Sequence, residues 1–303
     1  MMTAFTLISR NIKLFFKDKG MFFTSLVTPL ILLVLYITFL GDAYRDMFVS
    51  SLTFDGNLII SDEKMLDGAA AGQLMSSLLA VSCVTVAFCS NMLSVNDKVT
   101  SAIRDITVAP VKRSTLAISY FVASLASTLI VCYVATAVCF IYLAVVGWYL
   151  SLTDVLLIML DVLLLSTFGT ALASIINHFL TSQGQISAVG TVVSAGYGFI
   201  CGAYMPISQF GAGLQKALSF FPGTYGTSLM RNHCLGGVFE KMQNNGVPEN
   251  AVKALMDAFD CNIYMFDHKV ELWQMTVTVA VTCIILLGIY IFMNVLTKKG
   301  VKK

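Results

Sequence analysis

The sequence predicts an all-α integral membrane protein with six transmembrane helices. Three observations carry that prediction: 57% of the 303 residues are hydrophobic, only 12% are charged, and the apolar residues gather in runs long enough to cross a bilayer. A soluble domain carries about a quarter charged residues and could not hide this much apolar surface. Because a hydrocarbon core about 30 Å thick takes roughly 20 apolar residues per helix, such runs can be sought directly. They fall at residues 21–40, 69–94, 116–146, 155–176, 185–204 and 272–296, within a single transmembrane domain over 1–303. The third is long enough to tilt or to begin outside the bilayer.

The net charge of +2 conceals an asymmetry. With the spans alternating, twelve of the nineteen basic residues fall on one side: Arg10, Lys13, Lys17, Lys19, Lys98, Arg104, Lys112, Arg113, Lys298, Lys299, Lys302 and Lys303. The positive-inside rule then puts both termini and the second-to-third loop in the cytoplasm of a cell-membrane protein. The opposite side is acidic, with Asp42, Asp46, Asp55, Asp62, Glu63 and Asp67 against Arg45 and Lys64 in the first outer loop. These basic residues flank span ends instead of forming one face, which argues against a nucleic-acid partner.

Residues 1–20 place Phe5, Ile8, Ile12, Phe15 and Phe16 at helical spacing, with Arg10, Lys13 and Lys17 on the opposite arc. That pattern suits an amphipathic helix on the inner membrane surface; a charged leader that only sets topology is the alternative. The apolar stretch that follows is too long for a cleaved signal and lacks a small-x-small site, so it reads as an uncleaved anchor. Gly20 permits a turn into the membrane, and Pro29 a bend within it.

In the fifth run Gly190, Ser194, Gly198 and Gly202 recur every fourth residue, a small face suited to close packing on a neighbouring helix or a symmetry mate. The outer segment 205–271 is too rich in aromatic and apolar residues for a linker. Its stretches 211–221 and 224–234, separated by Pro222-Gly223, are each too short to cross and read as a re-entrant hairpin before the last span. Residues 248–259 read as a short polar-faced helix. Cys234 and Cys261 belong to this segment, and in an oxidising space a disulfide between them is open. The other six cysteines lie in or beside spans, where a thiol behaves as a small hydrophobe.

No phosphate loop, HExxH or closely spaced Cys and His ligand set occurs, so neither catalysis nor a metal site is expected. His178, His233 and His268 are far apart in the topology and read as ordinary loop histidines. Asp161 is the one carboxylate well inside a span, about 10 Å from its outer end at 1.5 Å per residue. With no basic partner evident in another span, either a structural role or a place on a transport path stands open for it.

The cytoplasmic loop 95–115 is more informative. Ile103, Ile106 and Val108 form an apolar spot among Asp97, Lys98, Arg104 and Asp105, stopped by Pro110, as in a helix that docks into a partner's groove; a solvated loop would not need those aliphatics.

With that loop, the basic leader and the order Gly202-Ala-Tyr-Met-Pro-Ile207, Leu214-Gln, Phe220-Phe-Pro-Gly-Thr-Tyr225, Arg231, nearly the whole chain resembles the type-2 ATP-binding-cassette permeases, membrane subunits of ABC exporters. The resemblance implies a second permease subunit, identical or homologous, and two separate ABC ATPase subunits that bind ATP and Mg, this chain holding no cofactor. It implies further that residues 95–115 carry a coupling helix and 1–20 a connecting helix. Spans two and five would line the cavity, through Met75, Leu79, Val193 and Tyr197. Phe220, Phe221 and Tyr225 would cap the outer exit, unless they are interfacial aromatic anchors. Many relatives carry a glutamate and a Gly-Thr pair in the coupling loop, where this chain has Asp97 and Thr100-Ser101. The long outer segment favours, by the same analogy, export of a drug, peptide or lipid. An ion-coupled secondary transporter or channel is the rival reading and would be expected to carry charges in several spans; a membrane enzyme would need paired acids or histidines at one depth.

Overall fold

In hydrocarbon a segment must satisfy its own backbone polar groups, and each long apolar run accordingly folds as a helix. The computed structural model describes residues 2–51, 53–54, 57–58, 63–108, 111–265 and 268–296; Asp55, Asp62, Pro110, Lys298, Lys299, Lys302 and Lys303 lie outside the described residues. Helix α1 (Met2–Lys17) is followed by α2 (Lys19–Leu35), which a π-helical turn (Tyr36–Leu40) continues into α3 (Gly41–Ser51). After the hairpin β1 (Thr53–Phe54) and β2 (Asn57–Leu58) come α4 (Glu63–Val99), α5 (Ala102–Val108), α6 (Arg113–Val146), α7 (Leu152–Phe179) and α8 (Gln183–Ile200). A 3-10 turn (Ile207–Gln209) leads to α9 (Ala212–Leu218), α10 (Pro222–Asn244), α11 (Glu249–Ala258), the hairpin β3 (Tyr264–Met265) and β4 (His268–Lys269), and α12 (Leu272–Leu296). Both hairpins are antiparallel, pairing Thr53 with Leu58 and Tyr264 with Lys269.

Among the described residues, five helices are long and apolar enough to cross a bilayer: Lys19–Ser50, Glu63–Val99, Arg113–Val146, Leu152–Phe179 and Leu272–Leu296. The protein is therefore a multi-pass membrane protein. The run expected as the fifth span folds as α8, but its 18 residues are diluted by Gln, Gly, Ser and Thr and fall short of that standard. Helix starts follow local chemistry: Ser151 with Asp154, and Ser182 with Gln185, form complete capping boxes at α7 and α8.

The helix α4 is the axis of the bundle. Its apolar stretch is 89% buried, against 22% in α6 and 17% in α12, so the latter two form the sheath and α4 the core. It packs against α2, α6, α7, α8 and α10. Its polar side chains find partners on those neighbours. Ser90 Oγ lies 2.6 Å from Ser124 Oγ and 3.0 Å from Thr128 Oγ1 of α6. Asn91 donates to Ser174 Oγ at 2.8 Å and accepts from Asn177 at 3.3 Å, both on α7. Such bonds contribute about 0.6 kcal/mol each in membrane proteins, and they fix register more than they add stability.

Outside the bundle, α3, the start of α4, the end of α10 and α11 close over a second apolar core. Phe48 stacks on Phe259 with ring centroids 4.0 Å apart, among Met65, Leu235, Phe239 and Leu255.

Two expectations are corrected. The turn between leader and first span falls at Asp18, not Gly20: Asp18 is extended and its carboxylate caps α2 by accepting from Met21 N at 3.1 Å. The second arm of the expected hairpin is not a short helix over 224–234 but the 23-residue α10. Pro222 at its first turn starts it, since proline's missing amide costs nothing there, and residues Gly223–Arg231 are buried against the bundle.

Close approach of α4 and α7 depends on Gly169, where a Cβ would lie 2.8 Å from Val84 Cα and 3.1 Å from Cys83 O. Gly169→Ala is expected to cost about 1–3 kcal/mol by forcing two backbones apart. The check is thermal unfolding in detergent. Gly184→Ala, with nothing within 4 Å, is the control and leaves the midpoint in place or raises it.

Candidate functional site

Two regions have the makings of a site: a groove along α2, α4 and α8, and the base of the bundle around α5. The groove, about 1180 Å³, runs from Asp18 and Met21 past Thr28, Ile31, Leu74, Ser77 and Leu78 to Tyr44, Tyr204 and Met205. Among its described lining residues only Asp18 is charged; the rest are aliphatic, aromatic or neutral polar. Such a surface has no fixed charge to hold an ion in its middle, and it suits an apolar body with a few hydrogen-bonding groups.

The groove takes lining from α2, α4 and α8, and the residues expected at a cavity fall elsewhere. Met75, Leu79 and Tyr197 are buried in the core, and Val193 packs half-buried beside Tyr197. The groove is instead met by Leu74, Ser77 and Leu78 of α4 and by Gly190, Thr191, Ser194 and Ala195 of α8. One step along a helix turns a side chain by about 100°, and that step separates the two sets.

The small stripe of α8 is divided. Gly190 and Ser194 line the groove. Gly198 and Gly202 are consumed inside the chain: a Cβ on Gly198 would overlap the Tyr204 ring at 2.4 Å, and Gly202 has φ +75, the left-handed conformation that ends α8. Tyr204 then folds back, its hydroxyl donating to Ser194 O at 3.1 Å.

At the base, Asp97 and Lys98 belong to the last turn of α4, not to the loop. Asp97 is buried; it accepts from Arg10 Nη1 at 2.7 Å and Nη2 at 3.2 Å, and from the Tyr120 hydroxyl at 2.5 Å. The hydrogen bond to Asp97 holds the Arg10 guanidinium above its ordinary pKa. Lys98 donates to Asn177 O at 3.0 Å and His178 O at 2.9 Å. The short helix α5 then hangs below: Ile103 and Ile106 are half-buried, Arg104 and Asp105 exposed, and Val108 is 86% exposed. The leader α1 seats Asn11 and Phe15 against the bundle and leaves Phe5, Lys13 and Lys17 outward.

The outer aromatic trio is also divided. Phe220 is exposed and lines a separate outer pocket of about 510 Å³; Phe221 lies edge-on to Phe168 and Tyr197; Tyr225 is buried and donates to Ser219 O at 2.6 Å. Cys234 and Cys261 are both buried free thiols. Burial pushes the Cys261 thiol up to about 12, which suppresses the reactive thiolate.

One buried ion pair and one buried His–carboxylate hydrogen bond on α10 escaped the sequence. Arg231 donates to Asp260 Oδ2 at 3.1 Å and to Gly202 O, while the same carboxylate accepts from Ile207 N and from Ser208 N at 3.0 Å. The guanidinium thus ties the end of α8 to the outer cap. His233 is no loop histidine: its Nδ1 lies 2.5 Å from Asp161 Oδ2, the basic partner that Asp161 lacked on paper. The partners are 72 residues apart, with no local pattern to join them.

The geometry is that of a multi-pass helical membrane protein, with a groove against a buried axial helix and a short exposed helix at its base. Residues 3–234 match the ABC-2 type transporter family, and the chain belongs to it. It is accordingly the membrane component of an ABC transporter, a class that works with ABC ATPase subunits. No curated protein matches the chain.

Removing one partner of a buried hydrogen-bonded pair leaves the other polar group unsatisfied. His233→Leu is therefore expected to cost about 1–3 kcal/mol, and the double change with Asp161→Leu markedly less than the sum of the two single changes. A double-mutant cycle on thermal unfolding in detergent checks this; additive losses would deny the pair.

Proposed function

We propose that the chain is the transmembrane permease subunit of an ABC exporter, with six membrane passages counting α8 and both termini cytoplasmic. It pairs with a second permease subunit, identical or homologous, and moves a hydrophobic or amphipathic substrate such as a drug, peptide or lipid outward across the cell membrane. ATP and Mg bind on separate ATPase chains, and this chain makes no bond.

The observation that carries this reading is α5. A seven-residue helix with Val108 almost wholly exposed, set beneath a bundle whose family works with ATPases, has its apolar and charged groups displayed toward the side where the basic residues gather. A partner groove that accepts Ile103, Ile106 and Val108, flanked by Arg104 and Asp105, would bury that display. ATP closure of the partner then shifts the population between inward-open and outward-open grooves, by differential contact with α5. The groove's lining, uncharged apart from Asp18 at one end, supports an apolar or amphipathic cargo. A proton-coupled rival would draw on His233 and Asp161, yet neither lines the groove, and the pair is sealed between α7 and α10.

The double change Arg104→Glu with Asp105→Lys is expected to uncouple ATP hydrolysis from transport without loss of expression. It is read by co-purification of the ATPase and by accumulation of a panel of hydrophobic dyes in cells. Unchanged efflux with full co-purification would remove α5 from the interface. In the same assay, Ala195→Trp in the groove lowers efflux while the ATPase stays bound.

A further inference from the structure

From the base of the bundle we infer that Asp97 and Lys98 are positioning residues. They clamp the root of α5 to four helices, so that α5 and the cytoplasmic ends of α1, α4, α6 and α7 move as one block. The inference rests on the reading of α5 as the coupling element and adds what that element is attached to.

The two residues are consecutive, and on a helix consecutive side chains diverge by about 100°. Asp97 turns toward α1 and α6, where Arg10 grips it with both terminal nitrogens and Tyr120 supplies a third donor. A carboxylate held by a guanidinium fork and a phenol has a single geometry, because the fork fixes direction as well as distance. Lys98 turns the other way, to α7. The last carbonyls of a helix have no partner within it and carry the negative end of its dipole. Lys98 answers two of them, Asn177 O and His178 O, at 3.0 and 2.9 Å.

Immediately beyond, α4 ends at Val99, and Ser101 adopts φ 64 before α5 begins. Arg104 N bonds back to Ser101 O at 2.9 Å, which makes the turn part of the α5 start. Three residues, Val99, Thr100 and Ser101, thus separate the clamp from α5, and little slack is left between them. Above the clamp, the Ser90 and Asn91 bonds carry the same attachment a further two turns into the membrane. These side chains would not be contacts for the ATPase. They would convert displacement of α5 into displacement of the helices behind it.

The test uses the full chain in liposomes, alone and with its ATPase, spin-labelled at Ser101→Cys and Thr181→Cys. Both sites are exposed, and the eight native thiols are buried or half-buried. In the chain alone the inter-label distance is expected to be narrow. Lys98→Gln loses that narrowness and Lys98→Arg retains it; a narrow distribution in Lys98→Gln overturns the clamp. Tyr120→Phe, which keeps the ring and drops one hydroxyl, reads the Asp97 arm through labels at Lys13→Cys and Ser101→Cys, should Lys98→Gln fail to insert. In the complex, Mg-ATP with orthovanadate is expected to leave the Ser101–Thr181 distance fixed while the Ser101–Ser187 distance across to α8 changes. A nucleotide-dependent Ser101–Thr181 distance in the native chain overturns the single block. Failure of the ATPase to co-purify with the native chain would instead overturn the coupling reading, and the liposome result on the clamp would stand by itself.

Discussion

A polar side chain in hydrocarbon must find its hydrogen bond within the protein, and α4 carries a series of them through its middle. Gln73, Ser76, Ser82, Thr85, Ser90 and Asn91 are all buried in it, along with small residues that bring neighbouring backbones close. Ser76, Ser82 and Thr85 bond carbonyls of α4 itself, whereas Ser90 and Asn91 need partners that lipid could not supply and find them on α6 and α7. The rest of the arrangement follows from that need. α6 and α7 face it with Ser124, Thr128, Ser174 and Asn177, and α10 approaches it at Gly72. The one side left thinly covered is the groove toward α2 and α8.

That distribution separates two jobs. The faces of α4 toward α6, α7 and α10 are occupied by packing and hydrogen bonds, and they have nothing to offer a substrate. The remaining face, with Leu74, Ser77 and Leu78, is available for one. α8 combines both roles: it is fastened through Gly202 to Arg231 just past its end, and it lines the groove along its length from Gln183 to Phe199.

Five of the spans were legible because run length against bilayer thickness is a strong physical constraint, and the last span was bounded to the residue. The helix starts at Ser151 and Ser182 were written in capping residues. Which face of α4 or α8 meets the groove was not legible: a helix buried nearly all round has no amphipathic stripe to read, and Met75 looks as suitable as Leu74. The length of α10 was hidden because its Gly, Thr, Ser, Asn and His are unusual in a membrane-depth helix until their partners are known. Those partners, Asp161 for His233 and Asp260 for Arg231, are 72 and 29 residues away. Asp97 was misplaced for a related reason, since a charge near a span end reads as solvated until Arg10, 87 residues earlier, is brought beside it.

The length of α4 has a mechanical consequence. Its 37 residues make a rod of about 55 Å at 1.5 Å per residue, against a hydrocarbon core of roughly 30 Å. A stiff rod supported near its middle is a lever with arms projecting from both faces of the membrane. A tilt of only about 10° about its centre swings each tip by roughly 5 Å, a whole helical pitch. The inner tip ends beside α5 and the outer tip lies in the cap with Phe48 and Phe259. The cap and the base are two handles of one beam, and a rotation too small to disturb the packing at the fulcrum is large where the beam emerges.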